Sequence, residues 1–485
     1  MRTTHRGLTV VALMLGLFLA AMEMTVVATA MPTVVGELGG LELYAWAFAA
    51  YMLTATVSVP IHGKIADLRG RKPVMLAGLA LFLLGSLACG FATSMGALIA
   101  FRAVQGLGAG AIQPMTMTIV GDLFDVRARA RMQGFFGAVW GIAGLVGPLL
   151  GGAIVHLVGW RWVFWVNVPF GLSSAAVLAL GYHERPERHE HRLDLAGAAL
   201  LAVTVLATLL AVRSREAAAL ALPAAAAGLA LFLLVERRAT EPLLPLDLFR
   251  QRIMAVTSVA GALVGAAMFG VVTFVPLWVQ SVLGATPTEA GAAIAPMAVG
   301  WPIASTLSGR LLVGGRYRRL IRGGLGLTAA SALALALLPV AGASLLAVQV
   351  VTFLYGVGLG LANTPLIVAV QTSVPWSRRG VATASTMFFR TIGGTISVGL
   401  LGGVLAHALS QAGASREVVE RLLGPERASV APEVVARLSA ALQGAMGIVF
   451  WAVAAIAAAA LVVSFAFPKV APAPPEGAPV GGDVA

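Results

Sequence analysis

Two ionisable side chains stand inside long apolar segments of the chain, where charge is uncommon. Glu23 lies in the apolar segment 8–35, and Arg102 lies in the apolar segment 97–121. A carboxylate in hydrocarbon is costly enough to mark a functional residue by default, and access to water would decide whether Glu23 holds a proton. At ~1.5 Å per helical residue, both side chains would lie roughly 7 Å beyond the middle of a ~30 Å apolar layer. We therefore expect Glu23 and Arg102 at the same depth.

The elements that must position these residues are apolar helices. Hydrophobic residues make up 59% of the 485 residues and charged residues 11%, against about 45–50% and 25% in soluble domains. The sequence therefore predicts an all-α polytopic membrane protein. Its fourteen apolar segments are 8–35, 44–64, 73–92, 97–121, 132–157, 163–182, 194–212, 218–236, 254–282, 289–312, 321–340, 344–370, 380–408 and 440–467.

The net charge of +12 could suggest nucleic acid as a partner, so the position of the basic residues decides its meaning. With the N-terminus in the cytoplasm, 24 of the 33 Lys and Arg residues fall on the cytoplasmic side and 7 outside. Such a bias sets the orientation of membrane proteins. We therefore expect both termini in the cytoplasm, the lipid bilayer as surroundings and no nucleic acid.

A degraded internal repeat indicates two similar bundles. The loop "GKIADLRGRK" (63–72) is echoed by "GRLLVGGRYR" (309–318), and each follows an even-numbered segment. Repeats of the same orientation suggest two bundles related by an axis along the membrane normal, and the offset leaves room for two extra helices between them. The predicted division is an N-terminal six-helix bundle (1–192), a two-helix linker with a loop (193–252), a C-terminal six-helix bundle (253–467) with an extracellular cap (408–439), and a disordered tail (468–485).

Several motifs together resemble the major facilitator superfamily, and within it the fourteen-helix drug:proton antiporters. "GKIADLRGRK" is similar to the loop signature Gly-x-x-x-Asp-x-x-Gly-Arg-Lys, and "LIAFRAVQGLGAG" (98–110) to the fourth-helix signature. "GFFGAVWGIAGLVGPLLGG" (134–152) resembles the fifth-helix antiporter motif, and "MEMTVVATAMP", "WRWVFWVNVPFG" and "LWVQSVLGATPTEAG" resemble other parts of the pattern. Three positions depart from it, because Glu23 replaces the usual Asp, Ala28 the usual Asn, and Val313 the Asp of the second loop.

The resemblance implies roles for the charged residues. Glu23 and Arg102 would couple transport to protons, although a fixed ion pair that only orients two helices is the alternative. The loop residues would form a latch that holds an outward-open state, although topology and a solvated Asp are the alternative. The latch residues are Gly63, Asp67, Gly70, Arg71, Lys72, Asp122 and Arg131.

The glycines of 134–152 first suggest a loop that cradles phosphate. In lipid, however, a loop would leave backbone groups unpaired, and no G-x-x-x-x-G-K-[ST] motif is present, so a bound nucleotide is not expected. In a helix these glycines form a stripe that lets another backbone approach closely, and Pro148 would add a kink. We expect the stripe to pack against the opposite bundle. The motif residues are Gly137, Gly141, Gly144, Gly147, Pro148, Gly151 and Gly152.

The family fold implies a central cavity lined by core helices. Candidates for substrate contact, each equally open to an anchoring or packing role, are Met22, Tyr51, Gln113, Met115, Trp140, Phe274, Trp278, Gln280 and Asn363. Arg390 lies about ten residues into its segment. It could pair with a backbone carbonyl or a substrate group, and a structural contact at the interface between the bundles is the favoured role.

These observations predict a proton-coupled secondary transporter, not an enzyme, that exports amphipathic or cationic drug-like compounds by alternating access. A lipid or metabolite exporter on the same fold is the alternative, and an integral-membrane transferase is a remote one, since no catalytic cluster of His, Asp or Glu is evident. We expect a monomer in the cytoplasmic (inner) membrane of the cell, with protons as coupling ion and no other cofactor or metal.

Overall fold

The computed structural model describes residues 4–124, 126–184, 194–211, 215–239, 242–312, 315–341, 344–375, 378–411 and 432–469, whose regular structure is entirely helical. The α-helices are α1 (Arg6–Leu38), α2 (Tyr44–Arg69), α3 (Arg71–Gly90), α4 (Met95–Leu123), α5 (Val126–Val158), α6 (Trp162–Trp165), α7 (Asn167–Gly181), α8 (Leu195–Leu210), α9 (Arg215–Arg238), α10 (Arg252–Ser281), α11 (Pro287–Leu311), α12 (Tyr317–Ala341), α13 (Leu345–Ser373), α14 (Arg379–Gln411) and α15 (Pro432–Ser464). Short 3-10 turns cover Leu41–Leu43 and Leu246–Arg250.

Within the described residues, thirteen helical segments are long and apolar enough to cross a membrane, with α6 and α7 counted together. The predicted segment 194–212 forms the shorter helix α8, whose 16 residues extend only ~24 Å against a ~30 Å apolar layer. Helix α14 continues to Gln411 and α15 begins at Pro432, so these two helices extend into both ends of the predicted cap at 408–439. Residues 412–431 and the tail from 470 lie outside the described residues.

The helices form two bundles, with a linker between them in the chain. In the N-terminal bundle α4 packs on α2 and α3, while α1 packs on α5 and α7; in the C-terminal bundle α13 packs on α11 and α12, and α10 packs on α14. Across the interface α5 packs on α11, α2 on α14 and α1 on α10. The all-α fold with two bundles is confirmed.

The linker helices differ in their surroundings. Helix α8 packs on both α2 and α14, and its Leu201, Val205 and Leu209 are buried. Helix α9 packs on α8 and presents exposed leucines, of which Leu220 is 80% exposed. Helix α8 therefore covers one seam between the bundles, whereas α9 has the apolar outer face expected of a helix in lipid.

The two bundles touch at one end. We call the end where α1 ends and α2 begins the closed end, and the end with the α2–α3 connection the open end. At the closed end, Tyr44 donates a hydrogen bond to the Thr273 carbonyl (2.6 Å), and Gln280 donates one to the Thr29 carbonyl (3.0 Å). Both bonds join one bundle to the other.

Glycines on the antiparallel pair α5 and α11 show where this interface stops. A Cβ added at Gly144 would lie 2.7 Å from the Cβ of Ala298, and one at Gly141 would lie 3.3 Å from Pro302. Nearer the open end, added Cβ atoms at Gly137 and Gly309 would meet nothing within 4 Å. The two helices therefore diverge beyond Gly141.

Candidate functional site: a buried charge cluster in the N-terminal bundle

The structure brings Glu23 and Arg102 together. The Nη1 of Arg102 in α4 donates to the Oε1 of Glu23 in α1 and forms an ion pair with it. The side chain of Glu23 is 1% exposed and that of Arg102 is fully buried. The predicted common depth is therefore confirmed, and the two helices hold opposite charges against each other inside one bundle.

Three polar side chains complete the cluster around the pair. Asn167, at the start of α7, donates through Nδ2 to the Oε2 of Glu23 (2.6 Å) and to the hydroxyl of Ser86 in α3 (2.9 Å). Arg102 also donates to the Oε1 of Gln105 (2.6 Å) and, through Nε, to the Ala47 carbonyl of α2 (3.2 Å). Five helices of the N-terminal bundle thus contribute to one polar site.

Some hydrogen-bonding capacity in this cluster is unused. The Nη2 of Arg102, the Nε2 of Gln105 and the Oδ1 of Asn167 are buried without a hydrogen-bond partner. The guanidinium carbon of Arg102 lies 4.2 Å from the centroid of the Tyr51 ring, a cation–π contact that compensates part of this loss. Unpaired polar atoms in a low-dielectric site are costly, so these three atoms reduce the stability that the cluster gives to the bundle.

The arrangement keeps a pair of opposite charges away from water. As an anion, Glu23 neutralises the buried charge of Arg102; as a neutral acid it would leave that charge uncompensated, which is strongly unfavourable. Because both side chains are enclosed, water reaches the carboxyl group only if the helices around it separate.

A second charged cluster lies at the open end, around the start of α3. Gly70 turns the chain with φ +96°, and the Glu184 carboxylate after α7 accepts the backbone N–H groups of Arg71 (2.6 Å) and Lys72 (2.9 Å). A carboxylate there satisfies unpaired amides and complements the helix dipole. The Arg71 side chain lies 3.4 Å from Asp122 and 3.6 Å from Glu184. The α2–α3 turn is thereby tied to α4 and α7 of its own bundle.

This cluster contains residues that the sequence pattern did not single out. Glu184 is the central acceptor, and the Lys72 ammonium donates to the carbonyls of Ala179 (2.7 Å) and Tyr182 at the end of α7. Burial raises the pKa of the Tyr182 phenol, and the carboxylates of Glu184 and Asp122 raise it further. Of the predicted latch, the side chains of Asp67 and Arg131 lie outside the described residues, and Gly63 has open space around its Cβ position.

The glycines of α5 serve two faces, so the expectation of one stripe against the opposite bundle needs correction. Added Cβ atoms at Gly141, Gly144 and Gly152 would meet α11, whereas those at Gly147 and Gly151 would meet Thr25, Val26 and Thr29 of α1. Pro148 packs through its backbone on Gly291 of α11. Four of the seven motif residues therefore lie at the interface between the bundles, two hold α5 to its own bundle, and Gly137 faces open space.

Most of the proposed cavity residues lie in the packed core of this conformation. Four of them, Met22, Met115, Phe274 and Trp278, are at most 1% exposed, because the closed end encloses them or because they face inside their own bundle. Gln280 is used in the bond to Thr29, and Tyr51 lies under Arg102. Trp140 is 43% exposed and Gln113 is partly exposed. Asn363 lines a pocket in the C-terminal bundle.

That pocket also contains Arg390. It lies between α10, α13 and α14 and is lined by Thr257, Gly261, Val264, Asn363, Leu366, Ile367, Thr386, Met387 and Arg390. The Nη1 of Arg390 donates a long bond (3.4 Å) to the Oδ1 of Asn363. The favoured structural contact between bundles is therefore not what this residue makes, because its hydrogen bond stays within the C-terminal bundle.

Comparison with known proteins now places this architecture. Residues 13–398 match the family model described as the Major Facilitator Superfamily. The chain belongs to this superfamily. Its members named below are transporters and not enzymes, and the match implies a membrane protein.

Several curated relatives are named for multidrug transport or resistance. The chain is 37% identical to the multidrug transporter protein MdtP of Bacillus subtilis over 416 residues, which cover 83% of this chain and 76% of the relative. It is 34% identical to multidrug resistance protein 3 of Bacillus subtilis over 83% of this chain and 80% of the relative. It is also 34% identical to multidrug resistance protein Stp of Mycobacterium tuberculosis over 83% of this chain and 76% of that protein.

Solved structures confirm the superfamily fold. A bacterial homolog of the human lysosomal transporter Spinster, in an inward-facing and occupied conformation, aligns with a TM-score of 0.72 at 17% identity, covering 96% of this chain and 97% of that one. A D-xylose-proton symporter aligns with a TM-score of 0.66 at 12% identity, covering 96% and 99%. At such identities the likeness concerns the fold.

Proposed function

We propose that the chain is a drug efflux transporter of the cytoplasmic membrane that exchanges protons for amphipathic drug-like compounds by alternating access. The relatives at 34–37% identity that are named for multidrug transport or resistance support the class of substrate. The observation that carries the coupling is the buried Glu23–Arg102 pair. A carboxylate held this way inside a membrane bundle is suited to carrying one proton.

The proposed cycle begins in the conformation described above. The distribution of Lys and Arg puts the α2–α3 turn in the cytoplasm, so the open end faces inward and substrate enters there. A proton that reaches Glu23 from outside weakens its ion pair with Arg102 and favours release of substrate outward. Deprotonation toward the cytoplasm restores the pair and the substrate-binding state.

The charged turn at the open end has a proposed role in the same cycle. Arg71, Lys72 and Asp122 are tied together within the N-terminal bundle, and we propose that with Asp67 and Arg131 they latch the outward-open state. The second loop has Val313 where the first has Asp67. The latch is therefore asymmetric between the two bundles.

Proton release on substrate binding tests the coupling. The purified chain in weakly buffered detergent receives a panel of cationic, neutral and anionic amphipathic drugs while the pH is recorded. We expect the wild type to release protons when a substrate binds, and Glu23→Gln to bind substrate with no release. Export that persists in Glu23→Gln vesicles against a gradient, with its pH dependence intact, would show that Glu23 is not the coupling group.

Asp247→Asn is the matched control for this experiment. Asp247 also pairs with an arginine, Arg378 (2.6 Å), but the two side chains are 53% and 43% exposed. Removing this carboxylate changes the same chemistry outside the membrane-spanning helices. We expect its proton release and transport to equal those of the wild type.

A further inference from the structure

Arg390 is a cation deep in the C-terminal bundle, and among the residues that the structure describes no carboxylate pairs with it. It stands eleven residues after Arg379 at the start of α14, which is about 16 Å along the helix and near mid-membrane. None of the three helices that form its pocket contains Asp or Glu. Arg102, which is also buried among the helices, has Glu23 as its partner. A charged side chain at this depth is expected to pair with something.

Two other polar groups of the pocket can donate hydrogen bonds, while the Thr386 hydroxyl already donates to the Thr383 carbonyl (2.8 Å). Asn363 uses its Oδ1 to accept from Arg390, which leaves its Nδ2 amide hydrogens for another acceptor. The Thr257 hydroxyl is buried without a hydrogen-bond partner, in a residue that is 2% exposed. A guanidinium, an amide N–H₂ and a hydroxyl thus meet in one pocket with no acidic acceptor. Donors collected in this way complement an oxyanion.

The rest of the pocket wall is apolar. Val264, Leu366, Ile367 and Met387 line it beside the donors, and Gly261 contributes no side chain. An apolar wall with a few convergent polar groups is typical of sites for small organic ligands. A strongly hydrated inorganic ion would gain nothing from this apolar surface.

We propose that this pocket binds the acidic group, a carboxylate or similar oxyanion, of an amphipathic substrate. The proposal rests on the proposed export function, and it specifies that the exported compounds include organic anions. Arg390 supplies the charge, Asn363 and Thr257 supply further hydrogen bonds, and the apolar wall holds the adjoining part of the molecule. The sequence predicted amphipathic or cationic drug-like substrates, and Glu23, the deep carboxylate that could meet a cation, is already paired with Arg102.

Fluorescence binding tests this assignment on the full chain in neutral detergent. The probes are dansyl-labelled undecanoate and its methyl ester, which share the apolar body and differ in charge. We expect the wild type to bind the acid at least tenfold more tightly than the ester. Arg390→Gln should lose at least tenfold in affinity for the acid and stay within twofold for the ester, whereas Arg390→Lys should keep part of the preference. Arg378→Gln, which removes an exposed arginine, should bind both probes as the wild type does.

Two results would overturn the assignment: unchanged affinity of Arg390→Gln for the acid, or an equal loss for acid and ester. If Arg390→Gln fails to fold, competition on the wild type decides, because laurate should displace the dansyl acid and dodecylammonium should not. Displacement by inorganic phosphate as effectively as by laurate, or by phosphatidylglycerol alone, would assign the pocket to a free anion or a lipid headgroup and refute it. Proton release is a separate measurement, so binding of the acid can hold even if the coupling role of Glu23 fails.

Discussion

The Glu23–Arg102 pair makes each residue depend on the other for its burial. Glu23→Gln leaves the Arg102 charge enclosed without a counter-charge, which typically costs about 3–5 kcal/mol. We expect a large fall in the thermal unfolding temperature in detergent. The double variant Glu23→Gln/Arg102→Gln should recover most of it, because neither charge remains. A double variant less stable than Glu23→Gln alone would contradict the mutual dependence.

An ion pair of the same kind on the surface should behave differently. The hydrogen bond from Arg378 lowers the pKa of Asp247, so the pair stabilises the fold above the ordinary aspartate pKa and loses this effect as the pH falls through the lowered value. Exposure and solvent screening keep the effect small. We expect Asp247→Asn to change stability by less than about 1 kcal/mol at pH 7, measured by the same thermal unfolding.

At the open end, Glu184 is a single residue whose loss should destabilise the fold directly. Glu184→Ala removes the acceptor of two N–H groups at the start of α3, and losing such a cap typically costs about 0.5–2 kcal/mol. We expect a modest loss of thermal stability and faster amide hydrogen exchange at Arg71 and Lys72. Exchange that is unchanged at both amides would rule out the capping role.

At this scale, sequence reasoning found the charges but only some of their partners. Glu23 and Arg102 stood out because hydrocarbon makes charge rare and helical rise gives depth. Asn167 and Glu184 did not stand out in the sequence, although Asn167 is a polar residue in an apolar segment. Which side chains meet depends on how each helix is rotated against its neighbours, and no spacing along one chain segment reveals that.

In helix α5, the effect of a substitution on folding can be separated from its effect on movement between the bundles. Gly144 faces Ala298 in the other bundle, Gly151 faces Val26 in its own bundle, and Gly137 faces open space. One helix therefore offers three matched positions for the same substitution.

Alanine at these positions should give three different results. Gly144→Ala should weaken transport several-fold with little change in unfolding temperature, because its Cβ separates the bundles. Gly151→Ala should destabilise the fold by about 1–3 kcal/mol through overpacking, and Gly137→Ala should be neutral or up to about 1 kcal/mol stabilising. Transport assays and thermal unfolding of the three variants check this. Equal loss of stability at Gly144 and Gly151 would mean that both are packing positions only.

The elements themselves were largely predictable from the sequence. Apolar segments and charges located nearly every helix, since lipid requires each backbone to satisfy its own hydrogen bonds. The length of α8 was not predictable, because the residues between Leu210 and Arg213 are apolar enough to continue a helix. The packing of α8 on α2 and α14 could not be predicted from the sequence either, because a helix surface of Ala and Leu can face lipid or protein equally well.

For the whole molecule, contact at the closed end must break if access alternates. A Cβ on Gly402 of α14 would meet the Cβ of Ala45 in α2, and this contact lies at the closed end. In a Cys89→Ala background, cysteines at Ala45 and Gly402 should form a disulfide after a small separation of the helices, since Cβ atoms in disulfides lie about 3.8 Å apart.

The cross-link should abolish transport and its reduction should restore it. Each single-cysteine variant should transport equally well with and without reductant, although Gly402→Cys should transport less than the wild type because its Cβ crowds Ala45. This comparison separates the effect of the bond from that of the substitutions. Transport assays in vesicles with and without reductant provide the measurement. Full transport by the oxidised double variant would refute the opening of this end during the cycle.

The divergence of α5 and α11 beyond Gly141 has a mechanical consequence. In the proposed cycle the contact zone would act as a fulcrum, and α5 continues for fifteen residues from Gly141 to Val126, a lever arm of about 22 Å. A tilt of roughly 10° about the fulcrum would move the far end of this arm by about 4 Å, given that helix rise. The other part of α5, seventeen residues from Gly141 to Val158, would move in the opposite direction. A small rocking movement at the tightly packed glycines would thus open a gap between the far ends of the two helices. The gap would be wide enough for a flat organic molecule, and every helix would stay intact.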